Sequence, residues 1–170
     1  MQACRAQPLF AAVLRAMAHT AMAALGCSAQ AAAPPEPEPA TFTVKLLTPE
    51  KALVAAQAAM SHCRKGGDQV AVAVVDRSGV LQVLLRDRLS GAHPVEVAPQ
   101  KAWTAASVKT STSAFATHTQ PGKPMSGPRG QPRFMVMGGG LVNEAGGSFL
   151  GGIGVSGAPG SVADEACAPC

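Results

Sequence analysis

The sequence predicts an α+β fold: an antiparallel sheet of four to five strands with helices packed on it. Three observations carry that expectation. Two aliphatic runs, Val70 to Val75 and Val80 to Leu85, flank turn chemistry at Asp76-Arg77-Ser78-Gly79 and so read as a hairpin. A second pair of runs, Arg133 to Met137 and Phe149 to Val155, is joined through Gly138-Gly139-Gly140 and a turn over Asn143 to Gly147. Helical spacings stand before, between and after these pairs.

Residues 1–31 read as a secretory leader. Arg5 and Arg15 precede any acid, the apolar run extends from Leu9 to Leu25, and Ala29-Gln30-Ala31 gives a small-x-small cleavage end. Arg15 and His19 interrupt that run, so the stretch from Ala16 to Gly26 is too short and too broken to span a bilayer, and no transmembrane segment is expected. The expected location is periplasmic or secreted. A lipoprotein site at Leu25-Gly26-Cys27 and an organelle transit peptide are the alternatives. Residues 32–40 form a Pro-rich linker, and the folded domain occupies 41–170.

Thr48 is set to cap a first helix that opens at Pro49, carries one apolar stripe of Leu53, Ala56, Met60 and Cys63, and ends at Gly66-Gly67. Gly91 to Pro94 breaks the pattern after the first hairpin. Pro99 opens a second helix, which places Ala105, Val108, Thr112 and Phe115 on one stripe and closes at His118. Pro121 to Pro132 holds four prolines and three glycines, which only a loop accommodates. A short helix from Ser161 to Ala168, with Ser161 as cap and Asp164 and Glu165 early, completes the chain.

Composition narrows the function classes. Hydrophobic residues make up 47% and charged residues 14%, the balance of a chain that folds. Lys+Arg 14 against Asp+Glu 10 gives +4, too mild and scattered to argue for nucleic acid, and 4% aromatics leave few stacking platforms for bases. After the leader, Cys63, Cys167 and Cys170 remain, an odd number in an oxidising compartment. Cys167-Ala168-Pro169-Cys170 has redox spacing but no following helix to lower a thiol pKa, so a frayed or locally bridged tail is expected.

Chemistry-bearing motifs are sparse. His62, His93 and His118 lack metal-ligand spacing. Ser156 sits in Gly154-Val155-Ser156-Gly157, which is not a nucleophile elbow. The glycines at 138–140 suit close backbone packing better than phosphate. His118 fits a helix C-terminus, and beside the apolar Phe115 it is also a candidate haem ligand. Thr112 interrupts an apolar stripe with a hydroxyl, which serves either a site or a bond back to the carbonyl one turn earlier. Lys123, Arg129 and Arg133 decorate the Pro-Gly loop, as a solvated face or an anion clamp.

Four segments then match something known. Val72-Ala73-Val74-Val75-Asp76-Arg77-Ser78-Gly79, Gln100-Lys101-Ala102-Trp103-Thr104-Ala105, Gly139-Gly140-Leu141, and Gly152-Ile153-Gly154-Val155-Ser156-Gly157-Ala158-Pro159 with Asp164-Glu165 stand in the order of the GlcG/HbpS haem-binding protein family. The chain resembles that family from Leu47 to about Ala168. The resemblance implies a sheet between helices, haem as cofactor, homo-oligomers, and for some exported members a membrane sensor kinase as partner. It implies that Thr112 lies near the haem iron. Two departures stand out: Gly139-Gly140 is followed by Leu141-Val142 and not by the usual proline, and the last helix is short.

The expected pocket has an apolar wall of Val108, Phe115 and Met135, Thr112 or His118 toward the iron, and Lys101 or Arg129 for the propionates. The leading expectation is an exported haem-binding protein that sequesters or presents haem without turning it over. The alternatives are a sensor accessory whose haem affinity is incidental, and an enzyme on small oxidised acids of the glycolate type. For the last, no convergent acid-base pair is visible.

Overall fold

The computed structural model describes residues 38–168. The expected leader, most of the expected Pro-rich linker and Cys170 therefore lie outside the described residues. Eight α-helices and β-strands follow in order, α1 (Pro49–Lys65), β1 (Ala71–Asp76), β2 (Leu81–Arg86), α2 (His93–Val108), α3 (Thr112–His118), β3 (Gly140–Ala145), β4 (Ser148–Ser156) and α4 (Ser161–Ala166), with a short 3-10 helix at Gly127–Gly130 between α3 and β3. The four strands form one antiparallel sheet of order β2-β1-β4-β3, so the class is α+β. Among the described residues, no helix is long and apolar enough to cross a membrane.

Strand β1 is buried on both faces, which is why its sequence is continuously aliphatic instead of alternating. Val72 and Val74, with Val70 just before the strand, join Ala52, Ala56, Ala59, Met60 and Cys63 on the α1 side. Ala71, Ala73 and Val75 meet Ala98, Ala102 and Ala106 of α2 on the other. The sheet is thus the middle layer of three. Its close approach to α2 depends on glycine: a Cβ at Gly152 would stand 2.5 Å from the Ala102 carbonyl oxygen, and one at Gly154 would stand 2.1 Å from that of Ala98. Ile153 and Val155, between and after them, point into the α1 core.

Several expectations need correction. The buried stripe of α1 is Ala52, Ala56, Ala59, Met60 and Cys63, and Leu53 is 38% exposed, because a helix lying close on a sheet turns its small residues inward. Helix α2 begins at His93 and carries Pro99 inside. It then breaks at Lys109, whose φ of 52° is left-handed, and Ser111 caps a separate α3 by accepting from Ala114 N. Thr112 therefore opens a helix instead of continuing a stripe from Ala105 and Val108. Arg133 to Met137 is irregular, running from a turn at Arg133 to a bend at Met137, and the third strand is Gly140–Ala145, paired to β4. In α4 the cap is Gly160, and Ser161 is the first helical residue.

The cysteines are the largest departure. Cys63 and Cys167 form a disulfide, with Cα atoms 5.1 Å apart, that ties the last turn of α1 to the end of α4. Cys167 is thus bridged across 104 residues of sequence instead of locally to Cys170. A second tether lies next to it on α1. Arg64 makes a bidentate pair with the buried Asp87, at 2.7 Å and 2.8 Å. Hydrogen bonds from Arg64, aided by Arg88 N, hold the Asp87 carboxyl below its usual range against the opposing pull of burial.

Candidate functional site

Helix α3 is held by a polar cluster assembled from four separate segments. Lys101, 1% exposed, extends from α2 and donates to Asp164 Oδ2 at 2.6 Å and to the Val155 carbonyl at 3.0 Å. Asp164 Oδ1 accepts from Ala158 N at 2.9 Å, so both carboxylate oxygens are used. Glu165, the next residue of α4, accepts from Ser113 Oγ at 2.7 Å and from Gly139 N at 3.3 Å. Thr112, fully buried, accepts from Gly140 N at 2.9 Å. The three glycines lie within this cluster because nothing larger fits: a Cβ at Gly139 would stand 2.8 Å from Lys101 Nζ, and one at Gly140 would stand 2.6 Å from Thr112 Cγ2.

The predicted site residues are thereby sorted. Thr112 and Lys101 come together, but inside the protein, with their polar atoms committed to Gly140, Asp164 and Val155. Phe115 is also interior, 3% exposed, with its ring against Phe134 at a centroid distance of 5.4 Å. Its partner in the expected wall, Met135, is half-buried, its backbone N donating to Thr104 Oγ1. His118 is exposed at the C-terminal end of α3. Arg129 is beside that end, donating to the carbonyls of Ala116 and Thr119 and so satisfying the last turn of the helix. Of the two iron-ligand candidates, only His118 faces outward.

Sequence reasoning did not place Asp164, Glu165 or Ser113 in one cluster with Lys101 and Thr112. A signal was present: Lys101 is a lone cation in an alanine-rich helix face, and such a residue is buried only when a carboxylate meets it.

Two clefts flank this centre, the first touching its Ser113–Glu165 edge. One of about 320 Å³ is lined by Ser113, Gly138, Ser161, Val162, Glu165 and Ala166. A larger one of about 410 Å³ opens between the β1–β2 turn and α2, with Trp103 and Arg133 at its side. Both fall at the lower end of the ~300–1,000 Å³ expected for ligand pockets. Among the described residues, no three His, Cys, Asp or Glu side chains are grouped as a metal site.

Residues 47–169 match the family described as haem degrading protein HbpS-like. HbpS of Streptomyces reticuli, solved as a double mutant, superposes with a TM-score of 0.71 at 36% identity, covering 81% of this chain and 93% of that one. A PduOC:Heme complex superposes with a TM-score of 0.67 at 29% identity, covering 73% and 91%. The corrinoid adenosyltransferase PduO of Citrobacter freundii is 36% identical over 90 residues, which are 52% of this chain and 27% of that protein. The chain thus spans about a quarter of the length of that curated relative.

Proposed function

The chain belongs to the HbpS-like family, and from that premise we propose that it binds haem at its surface, through His118, and holds it without turning it over. The observation that carries the placement is the packing at Thr112. With Gly140 N donating to its hydroxyl and its side chain wholly buried, Thr112 offers no exposed atom to a haem within one domain. The residues present fit a haem lying on the outside, where the His118 imidazole is free to reach metal. Bound haem supplies an iron that takes an imidazole donor. The chain's own part is to present His118 at the end of a short helix that Ser111, Arg129 and the Thr112–Gly140 bond keep in place.

In this reading the propionates do not fall to Lys101, whose ammonium is paired with Asp164. Arg129, half-buried and partly committed to Ala116 and Thr119, and the exposed Lys123 are the cations near α3 that remain for an anionic edge. Binding over turnover is supported by the same cluster, since Lys101, Asp164 and Glu165 are spent on one another, on Ser113 and on backbone. Export is supported by the Cys63–Cys167 disulfide, a bond that persists in oxidising compartments. A second copy of the chain would complete the wall that one surface lacks. Met125, 55% exposed in the loop that follows α3, is apolar surface of the kind such an assembly covers.

Haemin added to the purified protein tests this reading. A saturable Soret band distinct from free haemin is expected, with the band stable in the presence of reductant or peroxide. A free-haemin spectrum would overturn binding, and faster loss of the band with protein than without it would overturn the non-catalytic part.

A further inference from the structure

The cleft beside Trp103 has features that neither the haem reading nor the buried polar cluster uses. Trp103, half-buried, sits with its pyrrole edge over the β1–β2 turn, so close that a Cβ at Gly79 would stand 2.7 Å from Cδ1. Gly79 has a φ of 77°, so the turn is shaped to admit the ring. On the indole lies the Arg133 guanidinium, 4.2 Å from the ring, and Phe134 closes the next side at 5.3 Å. Arg133 is exposed, and among the described residues it has no carboxylate partner. Gln100 and Ser78 add polar groups to the wall, while Val80 and Leu81 supply an apolar floor open to solvent. The one acid in the turn, Asp76, already accepts from Ser78 N and Val80 N through Oδ1.

We propose that this cleft of about 410 Å³ is a binding site for a small planar carboxylate, its flat body laid against Trp103, Val80 and Leu81 and its carboxylate on Arg133. A guanidinium fixed in a plane over an indole is pre-organised for a carboxylate, because its fork is held without a competing salt bridge. The apolar floor rewards a ring over a hydrated inorganic anion. The site is separate from His118 and stands or falls independently of haem binding.

Trp103 is the chain's single tryptophan, so one indole N–H cross-peak in a proton–nitrogen spectrum reports on the cleft alone. Benzoate is the probe, with cyclohexanecarboxylate and benzamide as controls. A saturable shift of that peak with benzoate is expected, with affinity on the order of millimolar for so small a molecule. Arg133→Gln should weaken it about tenfold, and Val80→Glu, also at the exposed rim, should weaken it by like-charge repulsion. His118→Ala should leave it unchanged. No saturable shift with benzoate overturns the proposal. Equal shifts with benzamide overturn the role of Arg133, and equal shifts with cyclohexanecarboxylate overturn the preference for a planar body.

Discussion

Replacing Lys101 by Met removes the cation of a buried pair and leaves its carboxylate in place. Asp164 is 5% exposed, so its charge would lose its 2.6 Å partner without gaining water. Breaking a buried pair from one side costs about 3–5 kcal/mol, a large share of the about 5–15 kcal/mol that holds a domain together. With a urea slope near 2 kcal/mol/M for a domain of this size, the unfolding midpoint should fall by about 2 M. The Lys101→Met, Asp164→Asn double variant removes the stranded charge and keeps an oxygen for Ala158 N. It should therefore recover more than half of that loss, so the two substitutions are strongly non-additive. Urea denaturation followed by circular dichroism measures all four proteins. A midpoint unchanged by Lys101→Met, or a double variant as unstable as the sum of the singles, would refute the pairing as the source of this stability.

Other outcomes follow from the same structure. Replacing both Cys63 and Cys167 by Ser should cost about 2–5 kcal/mol, with the upper end favoured because the bond closes a loop near the ~100-residue length for which ~4.7 kcal/mol is the entropic estimate. Thermal melts with and without reductant check this, and reductant should not move the melt of the double variant. Because Asp87 has a folded pKa below its unfolded value, its contribution is fully present above about pH 4 and is lost as pH falls through the lower folded value. Asp87→Asn should flatten that part of an acid titration of stability. Gly154→Ala should cost at least about 3 kcal/mol, because its Cβ would meet the Ala98 carbonyl oxygen at 2.1 Å. A melting curve near that of the parent would contradict the close helix–sheet packing.

Elements with local chemistry were legible in the sequence, and those set by tertiary contact were not. Thr48 and Pro49 open α1, with Thr48 Oγ1 accepting from Lys51 N, and Asp76 organises the hairpin turn through its own carboxylate. The break between α2 and α3 was hidden because Lys109 and Ser111 are ordinary residues in a helix-compatible run, and only the left-handed turn at Lys109 separates them. Arg133 to Met137 resembles a strand, yet Phe134 N turns back to the Gln131 carbonyl and Met135 N to Thr104 Oγ1, while the unpromising Gly140 pairs with Gly154 at the start of β3. The Thr112 hydroxyl was visible as an interruption of an apolar stripe. That it turns inward to Gly140 depends on where β3 begins.

The most direct test of the account is a haemin titration read at the Soret band in the parent, His118→Ala and Thr112→Val proteins, each first shown to be folded. Surface binding through His118 predicts a saturable band in the parent, its loss or displacement in His118→Ala, and its retention in Thr112→Val. A band that survives His118→Ala and disappears in Thr112→Val would contradict it and place the iron at the buried threonine instead.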